Sequence, residues 1–119
     1  MVVLEGRYQI IGTGLIGGFG AGCGSFFEKI QGLSLPDQQP IGQSMLKADS
    51  SVVEGYIQPA KLRRVDHFCK LALTATCEAV TQAKLSAENL EKSGLILVSG
   101  YGPVESICSF KDTYFSNGA

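Results

Sequence analysis

At 119 residues and 12.6 kDa, the chain has room for one domain with a core of its own. Only 18% of it is charged, against roughly 25% in a typical soluble domain, while 45% is hydrophobic; so small a protein with so few charges is expected to hide surface against a partner or a further part of its own chain. The formal net charge of −1 leaves no basic footprint and argues against nucleic acid as a partner.

The N-terminus lacks the basic region of a secretory signal, and Glu5-Gly6-Arg7 interrupts its apolar start. Tyr8 to Phe27 carries no charge and places Gly14, Gly18 and Gly22 at G-x-x-x-G spacing, as a membrane helix pair would. Seven of those twenty residues are glycine, however, too many for a spanning helix, so no membrane association is expected.

Tyr8 to Ile11 predicts a short buried strand that ends in glycine. Gly12 to Gly24 is too rich in glycine for a helix and predicts extended chain with tight turns. Ser25 and Glu28 match a capping box, S-x-x-E, opening a brief helix that stops at Gly32. Leu33 to Pro59 holds two further prolines, Pro36 and Pro40, and reads as irregular chain with one short strand near Ser51–Val53.

Pro59 fits the first turn of the strongest element, a helix over about Ala60 to Lys84. Leu62, Val65, Phe68, Cys69, Ala72, Thr76, Ala79, Val80 and Ala83 recur along it at spacings of three and four. Its stretch Leu71 to Cys77, LALTATC, has no charge on any side, which predicts a helix covered all round. Ser86, with Glu88 and Glu91, predicts a short capped helix. Gly94 to Ser99, GLILVS, has the continuous apolar character of a strand in a parallel sheet. Gly100-Tyr101-Gly102-Pro103 then predicts a tight turn into a last helix through about Tyr114. The order is that of an α/β chain with about two parallel strands and a long buried helix. Two strands do not sustain a sheet, so further strands are expected from elsewhere.

The run Gly12-Thr13-Gly14-Leu15-Ile16-Gly17 is a G-x-G-x-x-G behind a strand, which raises a dinucleotide site. That fingerprint needs a helix opening at the motif and an acidic residue at the end of a second strand. Here G-F-G-A-G-C-G follows Gly17, and Asp37 lies between two prolines, so the context is wrong and no cofactor is expected.

Nucleophilic chemistry finds no better footing. Cys69 follows His67 by two residues, and positions two apart on a helix point away from each other. Cys23, Cys69, Cys77 and Cys108 form no C-x-x-C, and His67 is the single histidine, so neither a zinc site nor another metal site is expected. Four reduced thiols in a cytoplasmic protein is the simplest reading. No residue is assigned a catalytic role.

Three runs together resemble a family. YQIIGTGLIGGFGAGCGSFFEKIQG is similar to the opening of the β-ketoacyl-acyl-carrier-protein synthases, the elongating condensing enzymes of the thiolase fold. LRRVDHFCKLALTATCEAVTQAKL, Leu62 to Leu85, resembles their L-R-R-M-D-R-F helix, and SGLILVSGYGPVES resembles their V-G-V-x-x-G-S-G-x-G-G. The chain departs from the pattern at Gly17-Gly18, where the family has Ser-Pro, and at Pro103, where it has glycine.

The resemblance implies the N-terminal portion of a thiolase-like layered fold, in which the two strands would be the first two of a five-stranded sheet ordered 3-2-1-4-5. It implies an enzyme of decarboxylative Claisen condensation in fatty-acid or polyketide biosynthesis. The partners implied are an acyl carrier protein and a homodimeric or heterodimeric ketosynthase-like subunit. The family's catalytic Cys and two His have no counterpart here and would lie past Ala119, so the chain alone is expected to be inactive. One position carries over: Tyr101 stands where the family borders its acyl pocket. Two alternatives stay open, a non-catalytic chain-length-factor subunit and a small nucleotide-binding module.

Overall fold

The structure, a computed structural model, describes residues 8–32 and 47–117. The chain enters extended from Tyr8 to Leu15 and turns back in a minimal antiparallel hairpin, β1 (Ile16–Gly17) and β2 (Gly20–Ala21). Ile16 pairs with Ala21 and Gly17 with Gly20. The reversal depends on left-handed backbone at Gly20, φ 113°, and Gly22, φ 87°, which a side chain would strain. The Gly22 amide closes the loop on the Leu15 carbonyl at 2.7 Å.

Helix α1 (Cys23–Gly32) begins two residues before the expected capping box, and the stop expected after Gly32 lies outside the described residues. Ser25 therefore lies inside the first turn. Phe26 packs edge-on against Phe19 of the hairpin, with ring centroids 5.1 Å apart, which seats the helix on the turn that precedes it. The irregular chain expected after Leu33 lies largely outside the described residues, since it is described only from residue 47.

The short strand expected near Ser51–Val53 is instead a 3₁₀ helix, Ser50–Gly55. Asp49 accepts a hydrogen bond from the Ser51 amide at 2.8 Å, and this cap starts a turn where the paired valines alone suggest extended chain. Tertiary burial supports it, because Val53 is 0% exposed.

The long helix expected over Ala60 to Lys84 is two helices, α2 (Pro59–Leu62) and α3 (His67–Ala83). The break is made by Asp66, whose backbone is extended and whose carboxylate accepts from the Cys69 amide at 2.7 Å. Leu62, 3% exposed, anchors the corner. The apolar spacing runs through the break without a phase change, so periodicity alone joined the two. Helix α3 ends as Lys84 turns left-handed, with its amide reaching Thr81 and the Leu85 amide reaching Val80 at 3.3 Å.

Ser86 caps the short α4 (Ala87–Glu91) as expected, accepting from the Asn89 amide at 3.3 Å. Gly94 to Ser99 then runs extended, and the turn through Gly102, φ 63°, opens α5 (Val104–Asn117).

Helix α3 is the centre of the molecule. Thr74 is fully buried, while the rest of Leu71 to Cys77 is half-buried on every side, short of the complete cover their lack of charge predicts. The 3₁₀ helix packs on one side of α3, the glycine-rich chain crosses a second, and Leu95 and Leu97 approach a third.

Two parallel strands are not what forms. Among the described residues the paired strands are the antiparallel hairpin, while Tyr8–Ile11 and Gly94–Ser99 are extended without a ladder partner. The result is an α/β mixture that is mostly helical. Leu95, Ile96, Leu97 and Val98 are all exposed, with Ile96 and Val98 at 90% and 88%. The apolar segments have the character of sheet strands, and among the described residues no neighbouring strand pairs with them.

Candidate functional site

A cleft of about 790 Å³ opens between the first turns of α3 and of α5. Phe68, Leu71 and Phe110 supply apolar lining, and Asp66, His67, Glu105 and Ser106 supply polar groups. Asp66 organises it. One carboxylate oxygen caps α3, and the other accepts from the Ser106 hydroxyl at 3.2 Å, so a single side chain ties the two helix starts together. Hydrogen bonds from Cys69, then Ser106, with the nearby His67, hold the Asp66 carboxyl below the usual aspartate range.

Tyr101 sits beside this cleft and does not line it. Its ring is 88% exposed on the turn that Ser99 closes by accepting from the Gly102 amide at 2.8 Å. Gly102 and Pro103, the next two residues, do line the cleft.

A second, apolar groove of about 410 Å³ lies between α3 and the extended Gly94–Ser99 segment. Leu95 and Leu97 form one wall, with Val65, Cys69, Ala72 and Leu73 opposite. Alternation decides which side chains face it. The odd positions turn toward α3, and Ile96 and Val98 turn away.

Polar contacts hold the other side of α3. The Thr13 amide and hydroxyl both donate to Gln82, at 2.5 and 3.0 Å, and the Thr13 hydroxyl lies 3.3 Å from the Cys23 sulfur. Tyr56 donates its phenol hydrogen to Glu78, which fastens the 3₁₀ helix to α3. That bond, with burial and the Glu78 charge, raises the Tyr56 pKa. These pairs are 69 and 22 residues apart, and no local pattern announces them.

The glycines at the opening serve packing. A Cβ on Gly12 or Gly14 would overlap the carbonyls of Ala79 or Ala75, so the chain lies directly on the α3 backbone there. Gly17 lies in β1, and no helix opens at it, so the dinucleotide arrangement is not formed.

The thiols are not poised as nucleophiles. Cys69 is pushed up by its hydrogen bond to the Asp66 carboxylate, by burial and by that charge, and Cys77 by burial and the Glu78 charge. All four cysteines are free, and no group of three or more His, Cys, Asp or Glu side chains could hold a metal among the described residues. No described helix is long and apolar enough to cross a membrane.

What the fold and the cleft define is a predominantly helical α/β chain arranged around one central helix, with two apolar segments that have no ladder partner among the described residues. No protein-family model, curated protein or solved structure matches it.

Proposed function

We propose that this chain is a segment of a β-ketoacyl-acyl-carrier-protein synthase, an acyltransferase that lengthens an acyl chain by decarboxylative condensation. The observation that carries the reading is the joint placement of the three runs that resemble the family. The glycine run lies against α3, the L-R-R-x-D-x-F run forms the corner that starts α3, and GLILVS lies extended along another side of α3.

Within the L-R-R-x-D-x-F run two residues have a clear physical task. Leu62 is the buried anchor of the corner, and Asp66 caps the helix. A helix half-buried on all sides, next to an apolar extended segment exposed on its outer face, fits one layer of a larger structure. In the proposed reaction an acyl group passes from an acyl carrier protein to a cysteine, and the carbanion from a malonyl carrier protein then attacks the thioester. None of Cys23, Cys69, Cys77 or Cys108 is assigned that role, and the partner subunit would be a second ketosynthase-like chain.

The test is to read the gene past the codon for Ala119 and to assay the product of the whole reading frame. The expected result is a cysteine in a small-residue context, followed by two histidines, and condensation of an acyl primer with malonyl carrier protein. A substituted cysteine with an inactive protein that pairs with a ketosynthase would give the chain-length-factor reading instead. An early stop codon, with no condensation and no such pairing, would overturn both.

A further inference from the structure

We draw no further inference here: the strongest candidate, the apolar outer face formed by Ile96 and Val98 of the extended segment and the exposed side chains of α5, carries nothing, because nothing in the structure shows what covers it.

Discussion

Gly14 lies so close to Ala75 that a methyl group on it would overlap the Ala75 carbonyl and come within 2.9 Å of the Ala79 amide nitrogen. The extended chain and α3 meet there backbone to backbone. Gly14→Ala must push them apart, at a cost of about 1–3 kcal/mol by analogy with overpacked cores. Gly55→Ala is the matched comparison, because a Cβ at Gly55 meets nothing within 4 Å. Urea unfolding should show a clear loss for the first and about 0.5 kcal/mol or less for the second. Equal effects would remove the close approach as the reason for glycine at position 14.

Asp66 should make stability depend on pH on the acid side. Its carboxyl is held below the ordinary value of 3.8, so it contributes stability above that value and loses it as pH falls through the lower, folded one. Asp66→Asn keeps a capping side chain and should stay near wild type at neutral pH, with a flatter melting profile below about pH 4. Asp66→Ala loses the cap and should melt lower at every pH. Identical acid profiles for wild type and Asp66→Asn would show that the carboxylate is not held in this way.

Tyr56 should be the tyrosine that ionises late. Its folded pKa lies above 10.0, so the bond to Glu78 supports the fold fully below the unfolded value and is lost as pH rises through the folded one. Ultraviolet titration should show one of the four tyrosines ionising after the rest, and Tyr56→Phe should remove that late step. Glu78→Gln should bring the step back toward the ordinary range. Persistence of the late step in Tyr56→Phe would assign it to another residue.

Much of this architecture was legible in the residues, and the failures have one cause. The uncharged run Leu71 to Cys77 announced a helix at least half-covered on every side, and Ser86 announced the cap of α4, because each is a local property. The break at Asp66 does not show in the apolar spacing, which runs on from Leu62 through Val65 to Phe68, and only the cap made by the Asp66 side chain marks it. The 3₁₀ helix at Ser50–Gly55 was missed because burial of Val53 against α3 outweighs the strand preference of valine. Parallel pairing was inferred from composition, and composition gives a strand its character without giving it a partner. The Asp66–Ser106 and Tyr56–Glu78 contacts needed the fold before they could be seen.

Cys108 should be the first thiol to be alkylated. It is exposed, whereas Cys23, Cys69 and Cys77 are half-buried, and the last two are also less acidic than a free cysteine. Brief treatment with iodoacetamide at neutral pH, followed by peptide mass mapping, should place the first adduct on the peptide containing Cys108. Cys108→Ser should slow the first addition several-fold. An adduct arriving first on Cys77 would contradict the burial of that thiol.

Tyr101 tests the proposed condensation. Its ring is exposed here, and under the proposed reading it would border the acyl pocket of the whole enzyme and occupy space that longer acyl chains need. Tyr101→Ala, made in the complete protein, should shift products longer by a few carbons, since each buried CH₂ contributes about 0.8 kcal/mol of binding. Chromatography of the products at matched primer concentration reads the effect. Coincident profiles from an equally active variant would leave Tyr101 as a turn residue and nothing more.

The exposed alternation of Leu95, Ile96, Leu97 and Val98 also sets how this polypeptide behaves in a crowd of its own copies. Gly94 to Ser99 has no charge, no proline and no lysine to guard its edge, and among the described residues no ladder partner takes up its main-chain amides. Association is then expected to depend on how soon a covering surface reaches this segment. Concentrated alone, the chain is expected to associate through this apolar segment, and a covering surface is expected to suppress that association.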